Sequence, residues 1–194
     1  MDASVDTKPS LQDLISATEA VSLAHENKTQ DAHAEARNIV LNQLNFMPRS
    51  RKELETTLAK RHVEPDVAKS VLDRFEEIGM VDDAAFAELL IRSRCNTKRV
   101  SRSVLRQQLR QKGVDQEIIE DALMVVTDED ELRMATELVE KKLRAMSNLE
   151  PEVRKRRLFG LLARKGYGTH IALRIINDLE ASDFNGAEVM SDLS

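Results

Sequence analysis

The stretch "LRQQLRQKGVDQEIIEDAL", Leu105 to Leu123, contains a basic half, a glycine turn and an acidic half. Leu105 and Leu109 lie one helical turn apart and share a face. Gly113 followed by Val114 is the Schellman ending, in which glycine takes the left-handed conformation and the next apolar residue packs back on the helix. Asp115 then stands where a second helix is capped, and Ile118 opens a second apolar stripe that closes at Leu123. The stretch therefore predicts two short helices folded back on each other.

Two other segments carry the same skeleton without a gap. "RKELETTLAKRHVEPDVAKSVL" begins at Arg51, "RSVLRQQLRQKGVDQEIIEDAL" at Arg102 and "KRRLFGLLARKGYGTHIALRII" at Lys155. Leu54, Leu105 and Leu158 open the first helix of each, and Leu58, Leu109 and Leu162 follow one turn later. The turn falls at His62, Gly113 and Gly166, closed by Val63, Val114 and Tyr167. Val67, Ile118 and Ile171 begin the second stripe. Ser50 with Glu53 predicts a capping box, Ser101 holds the equivalent position in the second copy, and Pro65 suits a first helical turn. In the third copy Arg154 stands at the capping position. Gly160 inside that helix loosens it or lets another backbone come close.

A helical stretch precedes each copy, from Ala36, Ala84 and Glu131. The unit is thus three helices over about 50 residues, a solenoid-like period, too small to bury much surface without stacking on its neighbours. The expected fold is all-α, three tandem three-helix repeats in an elongated, curved molecule. The expected organisation is an acidic extension over 1–33, mostly disordered with one short helix from a Ser10 cap, then repeats over 34–81, 82–127 and 128–180, and an acidic tail over 181–194.

Composition agrees with helices. The 194 residues are 41% hydrophobic and 32% charged but only 3% aromatic, with 6 glycines and 4 prolines, which leaves few breaks for an all-β fold. The single cysteine, Cys95, excludes an intramolecular disulfide framework and fits a reducing compartment. No leader and no membrane-length apolar run occur, so the expectation is a cytoplasmic protein with no membrane partner. The net charge of -5 is unevenly spread. Residues 1–35 hold seven acids and two bases, and residues 178–194 hold five acids and no base. The body between is therefore basic, which points to a polyanionic or acidic partner that the ends repel.

No catalytic constellation stands out, and no cofactor or metal is expected. There is no phosphate-cradling Gly-rich loop. The four histidines, His25, His33, His62 and His170, lack carboxylate or cysteine partners at ligand spacing. "DEDE" at Asp128–Glu131 reads as first-turn acids on a helix dipole, and Asp82 or Asp83 as a helix cap. Cys95 lies among Arg92, Arg94, Lys98 and Arg99, a setting that can lower a thiol pKa, but the plainer reading of a lone helical cysteine is an inert one.

The basic stripes carry more. From Leu89 to Val114 no acid occurs among Arg92, Arg94, Lys98, Arg99, Arg102, Arg106, Arg110 and Lys112. Arg99, Arg102, Arg106 and Arg110 share one helix face. In the third copy Arg154, Arg156, Arg157, Arg164 and Lys165 again lie in an acid-free stretch. These thirteen residues are the expected partner-binding face. A solvated surface is the plainer reading of a charge run, but acids missing from two whole helices favour binding. Base reading is disfavoured, because major-groove readers place Arg, Asn and Gln at the start of the second helix, where "DQEII" and "EPDVA" stand here.

The tandem units, with "VDDAAFAELLIRSR" leading into "SVLRQQLRQKGVDQEIIEDAL" and a third copy holding "ARKGYGTHIALRII", resemble the RecX family, bacterial regulators of the RecA recombinase. The resemblance runs from about Ala36 to Leu179 and leaves the acidic first 35 residues outside it. It implies a non-enzymatic protein that binds in the groove of the RecA–DNA filament and suppresses ATP hydrolysis and strand exchange. The implied partners are the RecA filament and DNA phosphates, single- or double-stranded, met by a monomer. The alternative is a DNA-binding helix-turn-helix array, a nucleoid or transcription factor.

Overall fold

The computed structural model describes residues 11–179, side chains of residues 11 and 13–27 apart. Every regular element among them is helical: α1 (Leu11–Phe46), α2 (Arg51–Lys60), α3 (Pro65–Glu77), α4 (Asp83–Lys98), α5 (Arg102–Gln111), α6 (Gln116–Leu123), α7 (Asp128–Leu143) and α8 (Pro151–Arg164). A single 3-10 turn follows α7, and a last helical stretch covers 169–179. The expected tail over 181–194 and the Ser10 cap lie outside the described residues.

The extension departs from expectation. Residues 11–33 are not a short helix with disorder around it; they run without a break into the first helix of the first copy, giving α1 its 36 residues. No glycine or proline stands between Pro9 and Pro48, so nothing in the backbone stops the helix until the residues before Pro48.

All three turns close by one hydrogen-bond pattern. The N–H groups of Val63, Val114 and Tyr167 donate to the carbonyls of Leu58, Leu109 and Leu162, and those of His62, Gly113 and Gly166 to Ala59, Arg110 and Ala163. This is the Schellman pair of bonds. The turn residues all have positive φ, 61° at His62, 76° at Gly113 and 80° at Gly166.

Caps follow the sequence in the middle copy. Ser101 accepts from the N–H of Val104, and Asp115 from that of Glu117. Pro65 takes the first turn of α3. The third copy differs: Pro151 starts α8 ahead of the expected cap, so Arg154 lies within its first turn and its N–H donates to Glu150.

The chain divides into two compact units. The first comprises residues 1–49 and 53–81. Its core is Ala36 and Val40 of α1, Leu54 and Leu58 of α2, Val71, Leu72 and Phe75 of α3, and Val81. The second comprises residues 50–52 and 82–194. There the second and third copies share one continuous core that includes Leu105, Leu109, Ile119, Leu138, Leu158, Leu162 and Ile175.

Within this second unit the turn of the third copy is seated on the start of α5. The N–H of Ser101 donates to the carbonyl of Lys165 at 3.0 Å, and the Ser103 hydroxyl to that of Gly166 at 3.0 Å. Tyr167 Oη donates to the carbonyl of Arg99, also at 3.0 Å, and burial raises its phenol pKa. A Cβ on Gly166 would sit 2.4 Å from Val104 Cγ2 and 2.6 Å from Ser101 Oγ. Glycine is therefore required twice here, for its φ and for its lack of a side chain. The 50–52 segment meets the turn at Gly113 in the same way. Ser50 Oγ donates to the carbonyl of Lys112 at 2.6 Å, and a Cβ on Gly113 would fall 2.4 Å from Lys52 Cβ.

Candidate functional site

Of the expected arginine stripe only Arg102, Arg106 and Arg110 lie on α5, because Arg99 closes α4 as its left-handed C-cap, and all four are hydrogen-bonded within the second unit. Arg106 makes a two-pronged bond to Glu120, Nε to Oε1 and Nη2 to Oε2, both at 2.8 Å. That bond raises the Arg106 pKa and holds Glu120 below its usual range. Arg99 Nε donates to Glu137 at 2.8 Å, and Arg110 Nε to the Gln116 side chain at 2.8 Å. Arg102 meets Asp128 and Glu131 of α7.

Glu131, only 8% exposed, is the centre of this arrangement. One of its oxygens accepts the backbone N–H of Arg102 at 2.7 Å, the other Arg102 Nε at 3.0 Å. A buried carboxylate is tolerable only when paired and hydrogen-bonded in this way. Glu131 thus caps α5 from another helix while neutralising its first arginine. In the same unit Asp83 Oδ1 accepts the N–H of Arg51 at 2.8 Å.

The remaining predicted cations are placed differently. Arg92 is exposed on α4 and lines a cavity of about 370 Å³ with Cys95, Asp130 and Arg133. Arg94 is half-buried and Lys112 lies at the turn it helps close. Lys165 Nζ donates to the carbonyl of Lys98 at 2.6 Å. Burial, then the charges of Lys98 and Lys142, depress the Lys165 pKa, which marks a crowd of like charges. Arg154 is half-buried beside Lys155 and Leu158.

Arg156, Arg157 and Arg164 of α8 converge with Lys142 of α7 on one notch of about 500 Å³. No acid lines it, and none of the four forms an ion pair with a described residue. Lys142 was not anticipated, because its run "VEKKL" reads as a mixed-charge helix end with a favourable dipole contact. Gly160 also faces the notch. The backbone approach expected at Gly160 is not there: a Cβ would meet only Arg164 Nη1, at 3.3 Å. Its missing side chain leaves space in the notch instead.

The acidic motifs have structural duties. Asp82 caps α4 by accepting from Ala84 and Ala85. Asp130 closes a capping box with Thr127. Its carboxyl is pulled down to about 2, first by the hydrogen bond from Arg133 and then by those from Thr127. Cys95 lacks the lowered pKa that its basic sequence neighbours suggest. Burial raises its thiol pKa, and Asp130 adds to the rise against the opposing pull of Arg133. The basic residues near it in sequence do not set its charge.

No helix among the described residues is long and apolar enough to cross a membrane. Three family models match in chain order: RecX, first three-helix domain, over residues 36–75; second, over 82–123; and third, over 128–176. The chain is 38% identical over 163 residues to "Regulatory protein RecX" of Streptomyces coelicolor, covering 84% of this chain and 87% of that protein. It is 40% identical over 161 residues to the protein of the same name from Thermobifida fusca, covering 82% and 85%. Among solved structures, RecX from Lactobacillus salivarius superposes with a TM-score of 0.70 at 27% identity, over 78% of this chain and 99% of that one.

Proposed function

This chain belongs to the RecX family, and from that membership we propose that it regulates a RecA recombinase. It binds in the groove of the RecA–DNA filament and inhibits the filament's ATPase and strand exchange, and thereby modulates recombination and repair. It acts by binding rather than catalysis, as a cytoplasmic monomer without a cofactor. The carrying observation is the cation cluster of the second unit, Lys98, Lys142, Arg156, Arg157, Arg164 and Lys165, which forms no ion pair among the described residues. It suits a partner made of acidic protein surface and DNA phosphate.

The rival reading, a helix-turn-helix array that reads DNA bases, is disfavoured by α6. The start of that helix carries Asp115 as its cap, Glu117 in the first turn and Glu120 tied to Arg106, and its one long neutral polar side chain, Gln116, is already bonded to Arg110 and Glu120. A groove-reading helix needs donors and long polar side chains there.

The test is titration of the protein into RecA filaments, following ATP hydrolysis and strand exchange, with pull-down in the presence and absence of DNA and nucleotide. The expected outcome is dose-dependent inhibition and retention on the assembled filament. Tight, sequence-dependent binding to free duplex with no effect on RecA would overturn the reading in favour of the array.

A further inference from the structure

The cations of this protein fall into two classes, those consumed by the fold and those left over. We propose that the notch between α7 and α8, ringed by Lys142, Arg156, Arg157 and Arg164 and opened by Gly160, is the site that binds DNA backbone phosphates. The arginine face of α5 is structural. The proposal deepens the filament reading by naming which surface takes the nucleic acid.

Three observations carry it. The notch holds about 500 Å³ and has four cations and no acid in its lining. All four are exposed, so their charge reaches an incoming ligand without a desolvation cost to be recovered first. Finally, Arg156, Gly160 and Arg164 are spaced four and four along α8 and lie in one row. Arg156 and Arg164 stand roughly 12 Å apart along the axis at 1.5 Å per residue. The gap at Gly160 lies between them.

A single protein carboxylate could satisfy one of these guanidinium groups. A phosphodiester strand brings one charge per nucleotide at regular spacing, and so answers the whole ring. Arginine's planar fork fits phosphate oxygens pairwise. Arg102 and Arg106 offer no such forks to a ligand, because Glu131 with Asp128, and Glu120, already occupy them, and Arg99 has its Nε taken by Glu137.

The test measures binding of a labelled single-stranded oligothymidylate to the full chain, by fluorescence anisotropy across salt concentrations and without RecA. Arg156, Arg157 and Arg164 changed together to Gln should weaken binding about tenfold or more at about 50 mM salt. The salt slope should fall by about 2, since each lost phosphate contact on a single strand removes about 0.7. Gly160→Leu keeps every charge but fills the gap, and should weaken binding severalfold while leaving net charge unchanged. A charge-matched control, Lys28, Lys60 and Arg61 to Gln, should keep most of the affinity.

Equal loss in the control and the notch variant would overturn the site in favour of diffuse attraction. So would Gly160→Leu binding like wild type. RecA inhibition by the notch variant separates the two readings. Lost inhibition with unchanged oligonucleotide binding would make the notch a protein-carboxylate site and overturn the phosphate assignment, while leaving filament regulation intact. Wild-type protein that binds the oligonucleotide through the notch yet never affects RecA would instead overturn the filament reading and leave the site standing.

Discussion

Replacing Arg102 by Ala tests whether the α5 arginines serve the fold. The guanidinium lies 3.0 Å from Glu131 Oε2, whose side chain is 11% exposed, against 35% for that of Arg102. A hydrogen bond to a charged group contributes about 1.5–3 kcal/mol, and stranding a fully buried ion costs roughly 3–5 kcal/mol. The second partner, Asp128, has a side chain 88% exposed and adds little. The bond from the Arg102 N–H to Glu131 survives the substitution, and one third of the arginine already sees water. Alanine also gains slightly in helix propensity. The expected net loss is about 2 kcal/mol. In urea this shifts the midpoint by about 1 M for a slope of about 2 kcal/mol/M, read by helical circular dichroism. Adding Glu131→Gln should restore part of the loss, because the stranded charge is then gone. Arg156→Ala, by contrast, should stay within about 0.5 kcal/mol of wild type. An Arg102→Ala protein of unchanged stability that no longer inhibits a RecA filament would refute the reasoning, since the arginine would then be free for the partner.

Other expectations follow from the same geometry. Gly166→Ala forces a Cβ into left-handed backbone, at about 1–2 kcal/mol, and to within 2.4 Å of Val104 Cγ2; the loss should exceed about 2 kcal/mol by urea unfolding, and a neutral result would deny the seating of this turn. Leu109→Ala, at a fully buried position, should cost about 2–5 kcal/mol and lower amide protection in the second and third copies together, because they share one core; unchanged protection of the third copy would argue against the shared core. Acid should destabilise through Asp130, Glu120 and Glu137, whose pKa values are all depressed by arginine hydrogen bonds. A depressed carboxyl contributes stability above its ordinary value and loses it as pH falls through the folded value, so melting temperatures should drop between about 4.5 and about 2. Arg133→Ala should flatten part of that fall.

The helices, turns and caps were legible because each rests on local rules. Leucine spacing, a residue able to take positive φ and an N-cap side chain act within a few residues of one another. Where a rule met a competitor, the reading slipped. The acidic extension reads as mostly disordered, yet no breaker between Pro9 and Pro48 ends the helix that starts at Leu11. The start of α8 was placed at Arg154 because the copy-to-copy alignment outweighed Pro151, a first-turn proline. The acid-free run from Leu89 to Val114 is legible as a run, but the pairing of Arg99, Arg102 and Arg106 in space is not. Glu120, Asp128, Glu131 and Glu137 all lie beyond it in the chain and return to it only through the helix-turn-helix fold. Lys142 escapes the sequence pattern because it stands in a mixed-charge run in sequence and among cations in space.

Stacking itself sorts the cations. In the second unit, acids on the first helix of one copy cap the second helix of the copy before it: Asp83 takes the N–H of Arg51, and Glu131 that of Arg102. Each such clamp satisfies a backbone donor that the start of a helix leaves open, and Glu131 neutralises an arginine as it does so. Where the third copy rests on the second, stacking therefore consumes positive charge. On α8, no carboxylate among the described residues meets Arg156, Arg157 or Arg164, and the start of the helix is set by Pro151 instead of a side-chain cap. The chemistry that would have paired these arginines internally is missing at the one copy whose turn is seated on α5, so its outward charge is left for a ligand. A basic run in a repeat protein is therefore weighed by which copy's acids can reach it, and by that measure α8 rather than α5 is the surface proposed for a polyanion.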